Sequence, residues 1–290
     1  MDILDELQHR VLPGDGAMGT ELMAGDAGLI GVCLEEWNVS AQDKVRAVHE
    51  GYVAAGARII RTNSFGANAA RLARHGLDHR VSELNWTAAQ LARDAARGKE
   101  VLVAGSVGPI EMDDEAARAV GLDRAQVFAE QIGALLDGGA QCIFLETFLD
   151  LEELLVALLA KHALHHCPVV CSLVPDESGT LRDGTPLAEA FAQLRAAEAD
   201  VVGVNCVAPS VALAALETCA DPGPLAAFPS AGWPEIEEGR VTYGTTPEDF
   251  AASGRALAAR GVRLIGGCCG LGPGHIAAWA KSLREHEAPR

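Results

Sequence analysis

No apolar run in this 290-residue chain approaches the roughly 18 residues a membrane-spanning helix needs, so no such helix is expected. The opening MDILDELQHR lacks an apolar stretch and places three acids in its first six residues. That argues against a secretory leader and for a soluble, cytoplasmic protein. Lysine is scarce, with four among 23 basic residues, and no Lys/Arg run interrupts a formal charge of -17. Such a surface repels phosphate backbones, so nucleic acid is not an expected partner. A GK[ST] loop is missing, and the glycine turn GDGAMG taken alone is weak evidence, so a nucleotide cofactor is not suggested. No low-complexity tract, linker or sequence repeat divides the chain.

What the sequence does contain is ordinary globular material, 49% hydrophobic and 22% charged. Short β-branched runs alternate with longer alanine-rich segments of helical spacing. Eight such runs fall at about 11–12, 57–61, 101–104, 141–145, 169–173, 201–204, 225–228 and 262–265. Helices are predicted over 43–55, 82–96, 123–136, 151–162, 187–197 and 247–260, several opening on Asp, Ser or Pro. Eight βα units predict one α/β domain over 1–290, a (β/α)8 TIM barrel with its core at about 11–285. Three longer segments, 24–40, 105–121 and 221–246, read as site-shaping loops.

In a barrel the carboxyl ends of all strands face one mouth. Cys206 closes the sixth run in VVGVNC, and Cys268 and Cys269 close the eighth in LIGGCCG, so residues far apart in sequence meet at the rim. Eight cysteines in a cytosolic chain of this length point to buried thiols or metal ligands rather than disulfides. Zinc takes thiolates at about 2.3 Å in a tetrahedron, and three protein ligands leave the fourth position for a substrate. Ligation deprotonates a thiol whose reference pKa is about 8.5. Three anionic sulfurs weaken the ion as an electrophile for hydrolysis while keeping a bound thiolate electron-rich. The competing readings are a buried Cys-Cys pair, a vicinal disulfide, or zinc held for structure alone. Gly266, Gly267 and Gly270 ease a sharp turn between the adjacent cysteines.

The other cysteines, Cys33, Cys142, Cys167, Cys171 and Cys219, are expected to pack. His275, in GPGHI, reads as a helix cap or core residue rather than a fourth ligand. Glu146, after IFL, is an acid among apolar residues at the mouth, where it could meet an ammonium group. The turn Asp15, Gly16, Ala17, Met18 offers a carboxylate and backbone N–H groups suited to a substrate carboxylate. Trp37 and Trp233, in long loops, could wall a cationic donor by cation–π contact.

Taken together, GDGAMGTELM, RTNSFGANAARL, GSVGPI, LETFLDLEEL, GVNC and GGCCG resemble the homocysteine S-methyltransferase family over about residues 11 to 285. That family includes betaine–homocysteine methyltransferase and the homocysteine-binding module of cobalamin-dependent methionine synthase. The resemblance implies a homocysteine-binding barrel in which Cys206, Cys268 and Cys269 hold zinc and homocysteine sulfur completes the site as a thiolate. It implies that Glu146 receives the substrate ammonium, that the Asp15-Gly16 turn holds the amino-acid end, and that Asn205 supports the ligands. The reaction implied is in-line attack of that thiolate on a donor methyl, giving methionine.

Betaine, S-methylmethionine, S-adenosylmethionine, methylcobalamin and methylfolate remain possible donors. Glu146 is followed by Thr147-Phe148 where betaine-specific relatives carry an aromatic, so the resemblance leans to the cobalamin or folate branch. A corrinoid or folate carrier would then be a separate protein, with this chain as a methyl-transfer subunit. Methylation of another small thiol is a further alternative.

Overall fold

The computed structural model describes residues 3–287. Its strands are β1 (Leu12–Pro13), β2 (Ile59–Arg61), β3 (Leu102–Val107), β4 (Cys142–Phe148), β5 (Val169–Leu173), β6 (Val201–Asn205), β7 (Leu225–Phe228), β8 (Glu235–Glu237), β9 (Arg240–Thr242) and β10 (Val262–Ile265). Eight of them form one parallel sheet in the order β1-β10-β7-β6-β5-β4-β3-β2, with helices between them. Its two edges meet: Gly14 bridges Ile59 in parallel, and Arg58 N–H donates to Pro13 O at 2.7 Å. The sheet is therefore a closed (β/α)8 barrel. No helix among the described residues is long and apolar enough to cross a membrane.

Strand alternation sorts the apolar side chains into two layers. Leu12, Ile59, Leu102, Ala104, Cys142, Phe144, Val170, Val201, Ala226, Phe228 and Leu264 form the interior cluster, which Ile3 and Leu7 of the helix Ile3–His9 join. Their strand neighbours, such as Ile60, Val103, Ile143, Cys171, Val202 and Ile265, pack outward in the core cluster shared with the helices. Two residues beyond an inward position the chain points inward again. That parity carries Arg61 after Ile59, Ser106 after Ala104 and Glu146 after Phe144 to the upper interior, and all three are buried.

The expected strands over 169–173, 225–228 and 262–265 match their observed bounds, and the other five differ by a few residues at an end. The helix Pro247–Ala259 starts on a capping box in which Thr246 and Asp249 satisfy each other's backbone N–H groups. The three long segments are less irregular than expected. The segment 105–121 opens inside β3 and carries a helix, Asp114–Ala119. The segment 24–40 coils into short helical turns, and 221–246 contains β7 and the antiparallel hairpin of β8 and β9. That hairpin is docked on the first βα loop, with Ala27 N–H donating to Gly239 O and Val241 N–H to Gly25 O.

Candidate metal and substrate site

The Cys206, Cys268 and Cys269 sulfurs lie within 4.8 Å of one another, and Cys268 and Cys269 are 3.9 Å apart. A tetrahedral ion with thiolates at 2.3 Å has sulfur–sulfur edges of about 3.8 Å, so this trio fits such an ion without rearranging the barrel. Among the described residues it is the one cluster of three or more Cys, His, Asp or Glu side chains arranged to hold a metal.

The two elements that present it are fixed differently. Cys206 follows β6 in a left-handed conformation, φ 58°, and its N–H donates to Phe228 O at 3.0 Å. The turn after β10 is pinned on both sides: Gly267 N–H to Asp15 O at 2.7 Å, Cys268 N–H to Pro229 O at 2.7 Å, and Ala231 N–H to Cys269 O at 2.8 Å. Gly270 ends it at φ +81°, where a Cβ would stand 2.5 Å from the Tyr243 ring. Three crowded thiols cannot ionise together. Hydrogen bonds to Cys268 and Cys269, with burial behind them, push Cys206 up, while S–H donation from Cys206 and Cys268 pulls Cys269 down.

Beneath the sulfurs lies an ionic network in which a residue not anticipated from sequence is central. Arg61 Nε donates to Asp15 Oδ1 at 2.8 Å and its backbone N–H to Asp15 Oδ2 at 2.6 Å. Nη1 donates to Glu146 Oε2 at 2.5 Å, and Nη2 to Gly16 O and Gly267 O at 2.9 and 2.7 Å. The guanidinium also faces the Phe228 and Phe144 rings at 4.5 and 5.4 Å. Ser106 Oγ donates to the remaining Glu146 oxygen at 2.6 Å. Burial lifts Asp15 to about 6 although Arg61 opposes it, and burial likewise raises Glu146. For Arg61 burial acts downward, but Asp15 and Glu146 outweigh it and hold the guanidinium above its ordinary value.

Asn205 ends β6 pointing inward, and its amide is hydrogen bonded in both directions to Thr147, itself left-handed at φ 64°. A register shift between β4 and β5 falls at the same place, between Leu145 and Phe148.

These groups border one cleft of about 730 Å3, lined by the 15–20 turn, Arg61 to Gly66, Ser106, Glu146, Thr147 and the three cysteines. All six residues singled out around the three cysteines line this cleft or stand behind its lining. Asp15, Gly16, Ala17, Met18 and Glu146 line the cleft, and Asn205 stands behind Thr147. The 15–18 turn is partly committed, however: Gly16 O accepts from Arg61, and Ala17 N–H donates to Leu271 O at 3.0 Å.

His275 is a cap: its Nδ1 accepts from Gly272 N–H at 3.1 Å, leaving Nε2 to donate to Thr245 O at 2.9 Å. The tryptophan wall does not form. Trp37 packs with Leu22, Val45 and Leu91 under Lys44, and Trp233 is 94% exposed outside the cleft lining. The aromatics at the cleft are Phe65 and Tyr243 instead. Cys142, Cys167 and Cys171 are buried and Cys33 and Cys219 pack half-buried against core clusters, as expected; Cys33 also borders the cleft, its thiol pushed up to about 11 by burial and Glu35.

Arg61 had a sequence signal, its inward parity after Ile59, although the RTN motif reads more naturally as a loop. Tyr243 had none, because it arrives directly after the short, exposed β8–β9 hairpin.

Fold and site define a (β/α)8 barrel with a trio of cysteines arranged to hold a metal at its mouth, above a buried acid–arginine network. Residues 12–283 match the homocysteine S-methyltransferase family model, and the chain belongs to that family. It is 30% identical over 308 residues to methionine synthase of Mycobacterium tuberculosis (strain ATCC 25618 / H37Rv), covering 99% of this chain and 26% of that protein. The Mycobacterium leprae (strain TN) methionine synthase is 30% identical over 295 residues, covering 95% and 24%. The chain thus spans about a quarter of the length of these curated relatives. Among solved structures, the homocysteine methyltransferase MmuM from Escherichia coli in its metallated form is 29% identical, with TM-score 0.76, covering 96% of this chain and 98% of that one.

Proposed function

We propose that the chain is a zinc-dependent homocysteine S-methyltransferase that makes methionine, with Cys206, Cys268 and Cys269 as the metal ligands. The observation carrying this reading is the trio of sulfurs within 4.8 Å of one another, one pair at 3.9 Å, on the wall of a substrate-sized cleft. When bound, zinc supplies a means of holding the acceptor sulfur as a thiolate at neutral pH.

The chain's own residues do the rest by position. The Asp15 to Met18 turn and Glu146 form the part of the cleft where the amino-acid end of homocysteine would lie. Asn205 fixes the backbone beside Glu146 through Thr147. The thiolate attacks the donor methyl in line, forming the S–CH3 bond as the donor–CH3 bond breaks and leaves its electron pair on the donor; no acid or base acts at carbon, and alignment alone contributes about 7–11 kcal/mol in favourable cases. A reduced cytoplasmic setting suits a site made of thiols.

Purified, zinc-loaded protein incubated with homocysteine and each donor class in turn should yield methionine by mass spectrometry; no product with any donor sinks the proposal. A second reading is supported by the likeness to methionine synthases: the methyl arrives on a corrinoid or folate protein, with this chain as the methyl-transfer subunit. Turnover that requires such a carrier selects it.

A further inference from the structure

The acid pair at the base of the cleft already has a cation, and that cation belongs to the protein. Both Asp15 oxygens accept from Arg61, one Glu146 oxygen accepts from Arg61, and the other accepts from Ser106. Asp15, Arg61 and Glu146 together carry one net negative charge, where the two acids alone would carry two.

The guanidinium is not free to swing away and yield its place. It is 6% exposed, tied to two backbone carbonyls from separate turns, and stacked against Phe228 and Phe144. An incoming ammonium therefore meets carboxylates that are already hydrogen bonded, and leaving it out strands no carboxylate oxygen without a donor. A site built to hydrogen-bond a substrate N–H rejects the analogue lacking it by about 10^4-fold, because the site's own polar groups are then left unpaired. Here they are not left unpaired.

We infer that Arg61 is a specificity-determining residue that makes the site tolerant of acceptor thiols without an amino group. The substrate class then extends from homocysteine to small aliphatic thiols that lack its ammonium. This rests on the proposed thiol-methylating function and concerns how that acceptor is recognised.

The test compares homocysteine with 4-sulfanylbutanoate, which is homocysteine without its amino group, as ligands of the zinc-loaded full chain by titration calorimetry. The expected affinity ratio is below about a hundredfold, and a larger preference for homocysteine overturns the inference. Arg61→Gln exposes the acid pair and should raise that ratio at least about tenfold in favour of homocysteine, whereas Arg61→Lys keeps a cation and should not. An unchanged ratio in a folded, zinc-binding Arg61→Gln protein counts against the role. If that variant does not fold, the wild-type ratio decides. Comparable binding of both thiols without methyl transfer from any donor would refute the proposed function and leave the inference standing. Failure of both thiols to bind refutes both.

Discussion

Asn205 and Thr147 hold each other across the barrel mouth: Thr147 N–H donates to Asn205 Oδ1 at 2.9 Å, and Asn205 Nδ2 donates to Thr147 Oγ1 at 2.6 Å. Thr147 is β-branched and left-handed, a conformation that stores on the order of 1–3 kcal/mol. The pair of hydrogen bonds keeps it there, directly after Glu146. Asn205→Ala should destabilise the fold by about 1–3 kcal/mol in denaturant titration. Adding Thr147→Gly should restore part of that loss, since glycine adopts the same φ freely; absence of any rescue would show that backbone strain is not the cause.

Each of Cys206→Ser, Cys268→Ser and Cys269→Ser should leave the purified protein with little bound zinc by elemental analysis. Cys171→Ser, inside β5, should instead lower stability by about 1–3 kcal/mol and leave zinc content unchanged. Full zinc occupancy in any of the first three would remove that residue from the ligand set.

His49 is wholly buried, neither ring nitrogen has a hydrogen-bond partner among the described residues, and burial lowers its pKa from 6.5 to about 4. The folded state keeps the ring neutral while the unfolded state takes up a proton. This stability is present above about pH 6.5 and is lost as pH falls toward 4, by about 3 kcal/mol in all. His49→Leu should flatten that part of the stability–pH curve; an unaltered slope between pH 6.5 and 4 would show that His49 is not the titrating group.

Gly270→Ala tests how tightly the cysteine turn is packed. Its Cβ would meet the Tyr243 ring at 2.5 Å and Ala231 Cβ at 2.7 Å, in a left-handed conformation. The variant should bind zinc at least about tenfold more weakly with only modest loss of secondary structure. Wild-type affinity by competition with a chelator would mean that the turn adapts.

The barrel and the meeting of the three cysteines were legible because both rest on signals local in sequence: eight short apolar runs, and cysteines at the ends of two of them. The charged network was only half legible. Asp15 and Glu146 stand out as acids in apolar turns, but that they share one arginine depends on three strand ends converging, which spacing alone does not encode. Arg61 could have been placed by alternation from Ile59 once β2 was known to end on it. The positive φ of Thr147 and of Cys206 has no sequence mark at all, since both residues disfavour that conformation and are held there by partners from other strands. Position in a long loop does not fix where an aromatic points: Trp37 packs among Leu22, Val45 and Leu91, and Trp233 is exposed.

The sulfur trio joins β6 to the turn after β10, two strands that do not pair with each other because β7 runs between them. An ion held there would act as a mechanical clip. Pulled from its carboxyl end, the metal-loaded chain would unravel its last helix and then stall at Cys269 until coordination broke. Stripped of metal, it would let β10 and β7 peel away in succession.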